Sequence, residues 1–264
     1  RVFAALALLL CLAGGTALVS GAVALRPVAL LSSLLGGEPL PPGQAFVFYE
    51  LRLPRVLGAV LIGAVLAQCG AAMQGLFRNP LADPALIGIS AGAAVGAIAS
   101  LLLIPRAWAE AHTLGALQMP LAGLLGGWVT ALLVYKVGTF RGRVSVTGML
   151  LAGIAINAFA GALTGLFITV ADDQQLRSIN YWMLGSLAHL SWPTLLWVTP
   201  LLLFSLIGLA RYSRALDALL LGEAEAYHLG FDIKHIQTAI IFLISAGVGA
   251  AVATTGVIGF VGLV

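Results

Sequence analysis

Two arginines in a short motif offer the clearest chemistry in the sequence. Arg52 and Arg55 lie three residues apart in LRLPR, just before a long apolar run, so they share one face of a helix start. A guanidinium group presents paired N–H donors that hold a carboxylate bidentately. The pair therefore indicates a site for an acidic partner. Anchoring beside lipid headgroups is the alternative, because long cationic side chains reach toward the membrane interface.

The longest hydrophilic insertion is residues 211–235, RYSRALDALLLGEAEAYHLGFDIKH. It predicts a short apolar helix over 216–221, a break at Gly222 and a second short helix over 223–229. Two short amphipathic helices outside a bilayer are typical of an element that a partner protein receives. A solvated surface loop is the alternative interpretation.

Enzymatic chemistry finds little support. The lysines Lys136 and Lys234 follow Tyr and Ile, so no GxxxxGK[ST] loop exists and ATP hydrolysis by this chain is excluded. Residues 88–92 match GxSxG around Ser90, but the nucleophile elbow requires a strand-to-helix turn, and this segment opens an apolar helix. No cofactor is expected. No metal site is expected either, because the histidines are scattered without a spaced partner ligand: His112, His189, His228 and His235.

The elements that position these residues are membrane helices. Of the 264 residues, 61% are hydrophobic and 9% are charged, which excludes an ordinary soluble domain. Apolar runs long enough to cross a bilayer recur along the chain, so the fold class is an all-α polytopic membrane protein with residues 1–264 as a single transmembrane domain. The predicted spans are about 2–24, 55–77, 86–104, 114–137, 148–170, 194–210 and 236–255. The loop 26–55 is expected to be partly helical, and the chain is expected to be a fragment trimmed at both ends.

A polar turn joins the second and third spans. Asn79, Pro80 and Asp83 lie in RNPLADP between two uncharged helix-length runs, and the turn is either a conformational hinge or a local Arg78–Asp83 ion pair. The following run carries glycines at four-residue spacing, which predicts a bare helix face that meets a neighbouring helix closely: Gly88, Gly92 and Gly96.

The distribution of lysine and arginine favours a cytoplasmic N-terminus. That orientation places eight cationic residues inside and five outside. The inner group is Arg1, Arg78, Lys136, Arg141, Arg143, Arg211, Arg214 and Lys234, and the outer group is Arg26, Arg52, Arg55, Arg106 and Arg177. Because the second to seventh spans carry no charged residue near their centres, an ion-coupled secondary transporter is disfavoured.

The fifth predicted span carries polar groups on one face. Asn157 and Thr164 are seven residues apart, and Ile168 continues the same face. Hydrogen bonding between helices is one role for this face. At the start of the span, Thr147 before Gly148 suits an N-cap.

Six motifs follow one another along the chain: LRLPR, AMQGLFRNPLADPALIGISAGA, LLAGIAIN, YWMLGSL, LGEAEAYHLG and GVIGFVGLV. Over about 50–264 the chain resembles the permease subunits of iron-chelate and cobalamin ABC importers, the FecCD type of type II importer. NPLADP with its following glycine helix is the most specific motif. Such permeases usually carry ten spans, so the resemblance implies that about three follow Val264.

The resemblance also implies roles for named residues. A homodimer would enclose the pathway, cytoplasmic ATPase subunits would engage a coupling loop, and an extracytoplasmic substrate-binding protein would deliver the chelate, its acidic residues facing Arg52 and Arg55. Ser145, Val146 and Thr147 match a cytoplasmic gate loop, and the span carrying Asn157, Thr164 and Ile168 lines the pathway. By analogy, the residues that meet the ATPase are Leu221, Gly222, Glu223, Ala226, Leu229 and Gly230.

The sequence therefore predicts a permease of an ATP-driven importer for an iron chelate, either a ferric siderophore or haem, in the bacterial inner membrane. A cobalamin importer is the alternative. The lipid bilayer is the surrounding medium. The net charge of +3 is too small and too scattered to indicate nucleic acid.

Overall fold

The protein is almost entirely helical in a computed structural model that describes residues 1–105, 115, 117–140, 143–259 and 261–263. The helices are α1 Val2–Val19, α2 Pro27–Leu34, α3 Pro42–Phe46, α4 Leu53–Phe77, α5 Ile89–Leu103, α6 Gln118–Gly138, α7 Val146–Val170, α8 Asp173–Met183, α9 Trp192–Arg211, α10 Ser213–Leu221, α11 Glu223–His228 and α12 Ile233–Thr255. A π-helical segment, Val47–Arg52, joins α3 to α4 without a break, and 3-10 turns cover Pro84–Ile87 and Val261–Leu263. The strands β1 Thr139–Phe140 and β2 Arg143–Val144 form a two-residue antiparallel pair.

All seven predicted spans correspond to apolar helices. Within the described residues, six helices are long and apolar enough to cross a membrane, and α5 is a shorter apolar helix of 15 residues. The loop 26–55 is partly helical as predicted, but its helix begins early: the stretch Pro42–Phe77 is continuous. Arg52 and Arg55 consequently lie inside a long helix rather than at its start, which corrects the predicted boundary. His112 and Arg106 lie outside the described residues.

The chain forms two compact units. The first comprises Arg1–Leu61 and Leu187–Trp197. Its small core contains Leu25, Leu30 and Phe48, and the Trp192 indole N–H donates to the Tyr49 carbonyl oxygen at 2.9 Å. None of the α1 residues is buried, although Leu18 near its end packs partly against this core.

The second unit, Ile62–Ser186 with Val198–Val264, is built around α12. This helix is buried along most of its length and packs against α5 and α6. Ser205 of α9 donates to the Leu243 carbonyl oxygen of α12 at 2.8 Å, which satisfies a hydroxyl group that is completely buried. A helix that is apolar on all sides is stable in this central position.

The glycine face of α5 contacts α6, as the four-residue spacing predicts. A Cβ atom added at Gly92 would collide with Thr130 and with the Gly126 carbonyl oxygen, and one added at Gly96 would collide with the Ala122 carbonyl oxygen. The two backbones therefore meet directly, and small residues provide the contact that apolar side chains alone do not supply in lipid. Gly88 has a different role, because it precedes α5 with a φ of 78° that favours glycine.

Candidate functional site

The insertion 211–235 folds as its sequence predicts. Gly222, with φ of 132°, separates α10 from α11, and Gly230, with φ of 89°, follows α11. Residues with a side chain rarely adopt these backbone angles, so glycine fixes both ends of α11. The two short helices lie outside the long apolar helices.

The two short helices bury one face and expose another. Their inner face is formed by Ala215, Ala218, Leu219 and Ala226, all of which are buried. Their outer face carries large apolar side chains that are each more than half exposed: Leu220 57%, Leu221 70%, Tyr227 70% and Leu229 62%. We call these four residues the apolar docking patch. Large exposed apolar side chains close together in sequence are typical of a protein-binding surface.

Glu223, at the start of α11, connects this insertion to two other segments. The side-chain amide of Gln237 in α12 donates to the Glu223 carboxylate at 3.1 Å, and the guanidinium of Arg78 lies 4.0 Å from the same oxygen. Gln237 is buried, whereas Arg78 and Glu223 are about half exposed. A half-exposed ion pair contributes about 0–1 kcal/mol. The contact matters more because one carboxylate links α11, α12 and the turn after α4.

The turn after α4 is held by its own side chains. The Asn79 side-chain oxygen accepts the Leu81 N–H at 2.9 Å, and the Asp83 carboxylate accepts the Ala85 N–H at 2.7 Å. Arg78 has a φ of 49°, a left-handed conformation that is uncommon for a residue with a side chain. The local Arg78–Asp83 pair considered from the sequence is not the arrangement found, because Asp83 caps the 3-10 turn and Arg78 faces Glu223. Pro80 lies in the same turn and lines a cleft of about 660 Å³ beside α10.

Arg52 is engaged within its own unit. Its guanidinium donates to the carbonyl oxygens of Leu18 at 2.9 Å and Val19 at 2.7 Å, and also to that of Val23. These carbonyls belong to the last turn of α1 and the segment after it, so Arg52 acts as a long-range cap for α1. The backbone passes so close that a Cβ atom at Gly21 would touch the guanidinium. Arg52 is only 9% exposed.

Arg55 has a different environment from Arg52. It is half-buried, and its buried Nε has no hydrogen-bond partner within the described part of the chain. A bidentate contact of both arginines with one acidic partner would require Arg52 to leave the α1 carbonyls. The prediction that the pair binds an acidic partner stays a prediction.

The start of α7 is capped by Ser145 rather than by Thr147. The Ser145 hydroxyl oxygen accepts the Gly148 N–H at 3.1 Å, and the helix begins at Val146. Thr147 lies one residue inside the helix and is exposed. The cap falls at Ser145 because its extended backbone lets the hydroxyl reach the N–H three residues ahead.

Asn157 of α7 makes the hydrogen bond between elements that its sequence position suggests. Its side-chain amide donates to the Ala85 carbonyl oxygen of the 3-10 turn at 3.1 Å. Thr164 is buried, and Ile168 is half-buried. The predicted role of these three residues in lining a pathway stays a prediction.

The GxSxG motif at residues 88–92 does not have the local structure of a nucleophile elbow. Ser90 lies in the first turn of α5, after a 3-10 turn instead of a strand, and is 9% exposed. An elbow that presents a nucleophile requires a sharp strand-to-helix turn. This arrangement gives Ser90 a packing role.

These features define a polytopic helical membrane protein with a structured helical insertion outside its spans. A sequence model of the FecCD transport family matches residues 6–264, and the chain belongs to that family. A solved structure, described as an inward-facing conformation of a protein of the metal-chelate ABC transporter type, superposes with a TM-score of 0.83 at 30% identity. The superposition covers 100% of this chain and 78% of that one.

Curated relatives carry permease names with different cargoes. The hemin transport system permease protein HmuU of Yersinia pestis is 42% identical over 83% of this chain and 64% of its own length. The cobalamin import system permease protein BtuC of Halobacterium salinarum is 36% identical over 85% of this chain and 58% of its own length. The iron-uptake system permease protein FeuC of Bacillus subtilis is 35% identical, over 94% and 73% respectively. The chain thus spans less than two thirds of the length of the first two relatives.

Sequence reasoning missed the polar contacts that Arg52 and Glu223 make with other segments. Arg52 is 34 residues from Leu18, and Glu223 is 14 residues from Gln237 and far from Arg78 along the chain. Only the presence of a cation in an apolar setting signals that Arg52 needs partners. Nothing local identifies which carbonyls it takes.

We expect Arg52→Leu to lower the thermal stability of the purified protein more than Arg55→Leu. The first substitution leaves three partly buried carbonyl oxygens without donors, and a buried acceptor left unpaired costs about 1–3 kcal/mol. Intrinsic fluorescence during heating in detergent measures the stability, and limited proteolysis near residues 20–26 reports local opening. Equal shifts for the two variants would contradict the capping role of Arg52.

Proposed function

We propose that the protein is the permease subunit of an ATP-driven importer that carries a metal chelate, either a ferric siderophore or haem, into the cytoplasm. The observation that carries the proposal is the apolar docking patch on two short helices outside the spans. Family membership supports it, as do relatives named for hemin and iron uptake. Cobalamin is the second candidate cargo, favoured by the name of another relative. The chain resides in the inner membrane of a bacterial cell in this proposal.

The proposed partner on the cytoplasmic side is a pair of ATPase subunits. They engage Leu221 and Leu229 of the apolar docking patch, with Gly222 and Gly230 at the two ends of α11. Ala226 is completely buried, so it acts by seating α11 on the protein. ATP hydrolysis takes place in the partner, because this chain has no phosphate-binding loop.

Glu223 provides the connection from the ATPase to the spans. A movement of α11 reaches α12 through Gln237 and reaches the turn at Asn79, Pro80 and Asp83 through Arg78. The turn joins α4 to α5, so it acts as a hinge between them. The two sides of the pathway then open alternately, as a two-state element whose balance is shifted by nucleotide and cargo.

The proposed assembly is a homodimer with the pathway between two copies of α7. In support, α7 exposes several large apolar side chains: Leu151, Ile154, Phe159, Leu166 and Val170. Asn157, Thr164 and Ile168 lie on the same helix and line the pathway in this proposal. At its cytoplasmic end, Ser145, Val146 and Thr147 form the gate, where the small hydroxyl side chains of Ser145 and Thr147 close a constriction without a charge.

The proposed outer partner is a substrate-binding protein with acidic residues that face Arg52 and Arg55. The half-buried Arg55 is the accessible member of the pair, because the Arg52 guanidinium is occupied by carbonyls. Arg52 contributes by fixing the end of α1 and by adding positive charge.

The first experiment purifies the full-length protein in mild detergent from its native membranes and identifies the proteins that accompany it. A Walker-motif ATPase at one copy per permease is the expected result. The double variant Leu221→Glu, Leu229→Glu should lose the ATPase, because it charges the apolar docking patch. Leu184→Glu is the matched control, since Leu184 is 80% exposed but belongs to a different loop. A permease that purifies alone and transports in liposomes under an ion gradient would overturn the proposal.

The connection at Glu223 is tested by charge exchange. We expect Glu223→Arg to keep the ATPase bound but to lower transport-coupled ATP hydrolysis roughly 5-fold or more, the effect of losing a typical coupling free energy. Placing Arg beside Arg78 repels the turn, so the double variant Arg78→Glu, Glu223→Arg should recover part of the loss. Hydrolysis by the complex in proteoliposomes, with and without the binding protein, is the measurement. Unchanged transport-coupled ATP hydrolysis in Glu223→Arg would count against this connection.

The outer contact is tested at Arg55 because its substitution leaves the α1 cap in place. Arg55→Glu should weaken docking of the binding protein roughly tenfold or more, since a like charge replaces an attractive one across the contact. Arg177→Glu, another arginine predicted to face outward, is the control for net charge. Surface plasmon resonance with the immobilised permease gives the dissociation constant, and an unaltered value in Arg55→Glu would exclude the site.

A further inference from the structure

The short helix α2 has an apolar outer side that none of the roles described above uses. Val28, Leu31 and Leu35, the last of which directly follows the helix, are 81%, 59% and 79% exposed. At about 100° per residue, the three side chains fall within an arc of about 60° around the helix axis. We call these three residues the α2 face. Exposed apolar patches mark an interaction with a protein or with a membrane.

Both ends of α2 are fixed by its own sequence. Pro27 occupies the first position of the helix, and Gly36, with φ of 86°, follows its C-cap. The Gly37 N–H donates to the Ser32 carbonyl oxygen at 2.8 Å, and the Gly36 N–H donates to the Ser33 carbonyl oxygen at 3.4 Å. These two bonds form a Schellman motif, which satisfies the last carbonyl groups of a helix. The α2 face therefore belongs to a defined helix.

The inner side of α2 supplies little packing. Among the α2 side chains that the structure describes, only Leu30 is buried, in the small core with Leu25 and Phe48. A helix of 8 residues is marginal in water by itself, and most helical stability in proteins comes from packing. Contact on the α2 face would therefore supply stability that the inner side does not.

The end of α1 places α2 near one edge of the bilayer core. Leu18, in the last turn of α1, packs against the core that holds Leu30. Residues 20–26, which join α1 to α2, are not helical, and residues 20–24 are exposed. Non-helical backbone is not exposed to lipid inside the hydrocarbon core, so α1 leaves the core at this segment. Leu30, and with it α2, lies close to that exit.

The start of α9 marks the same level independently. Trp192 is the first residue of α9, which is long and apolar enough to cross a membrane, and its indole N–H donates to the Tyr49 carbonyl oxygen. Tyr49 follows Phe48, which belongs to the same core as Leu30. Trp and Tyr side chains are enriched at the boundary between bilayer and water. The core behind α2 therefore lies at the headgroup level.

The α2 face points sideways at this level. Phe48 lies on the continuous helix Pro42–Phe77, which is apolar and long enough to cross the membrane. Because Leu30 shares a core with Phe48, its side of α2 faces this helix, and the α2 face lies on the far side. The neighbouring α1 is apolar and has no buried residue, so lipid covers most of it. The α2 face thus meets the headgroup layer of the bilayer that surrounds α1.

We propose that α2 is an interfacial helix in the leaflet where α1 leaves the core, with the α2 face against lipid. An amphipathic helix of this kind buries its apolar side at the boundary of headgroups and acyl chains. Arg26 and Glu38, both exposed, flank α2 and limit the apolar surface at each end. On the predicted orientation this leaflet is the outer one. The proposal does not depend on the importer assignment, since it uses only residues 18–50 and Trp192.

Spin labels measure the depth of the α2 face. In a Cys11→Ser background, which leaves only the buried Cys69, the variants Val28→Cys, Leu31→Cys and Leu35→Cys each carry one nitroxide on the purified full-length permease. In vesicles of phosphatidylethanolamine and phosphatidylglycerol, collisions with oxygen and with a water-soluble nickel chelate give the depth of each label. The three labels should lie roughly 5–10 Å into the boundary of headgroups and acyl chains.

Two exposed positions calibrate the depth. Leu8→Cys in α1 is the lipid-facing control, because Leu8 is 61% exposed, nearly the same as Leu31. Glu38→Cys, in the loop after α2, is the water-facing control. Labels on the α2 face that match Glu38→Cys in nickel accessibility would overturn the proposal. Labels shielded from both oxygen and nickel would also overturn it, because a second copy of the permease would then cover the face.

Charging the α2 face tests whether it holds α2 on the bilayer. In the double variant Leu31→Asp, Leu35→Asp, the label at Val28→Cys should become as accessible to nickel as the label at Glu38→Cys. The matched control Leu221→Asp, Leu229→Asp adds the same two charges to the apolar docking patch and should leave the depth unchanged. An unchanged depth in the α2 double variant would show that lipid contact does not hold the helix and would overturn the proposal.

Discussion

Direct backbone contact between helices is the interaction on which the rest of the structure depends. In lipid, apolar side chains gain little by leaving one hydrocarbon environment for another, so close packing has to bring the helices together. The crossing of α5 with α6 at Gly92, Gly96 and Gly126 provides that packing. It gives α12 a fixed surface, and α12 in turn carries Gln237 toward the helical insertion.

Polar groups in this protein are used where segments that are distant in sequence must meet. Arg52 joins α1 to the long helix, Asn157 joins α7 to the 3-10 turn, and Glu223 joins three segments at once. Each of these polar side chains bonds to a backbone carbonyl or to a polar side chain of another segment. In an apolar setting such contacts are specific, because an unpaired group is costly. The few polar residues therefore determine which positions of two segments meet, whereas the apolar residues only hold the segments close together.

Local patterns in the sequence were sufficient for the spans and for the helical insertion. Apolar runs of about 20 residues, glycine at 222 and 230, and the glycine spacing of α5 each act through nearby residues, and their consequences were predicted correctly. The partners of Arg52 and Glu223 could not be predicted, because they depend on how separate helices come together. The predicted N-cap, Thr147, lies two residues after the cap found, Ser145. Both residues suit an N-cap, and only the backbone angle selects Ser145.

The short length of α5 has a consequence for Asn157. Fifteen residues span about 22 Å, whereas a bilayer core is about 30 Å thick, so the 3-10 turn Pro84–Ile87 has to supply part of the crossing. Non-helical backbone at membrane depth is tolerated only where protein or water satisfies its carbonyl groups. The Ala85 carbonyl oxygen accepts both the Gly88 N–H at 3.0 Å and the Asn157 amide at 3.1 Å. The short α5 thus begins at a turn whose exposed carbonyl is satisfied jointly by its own backbone and by α7, whatever cargo the protein carries.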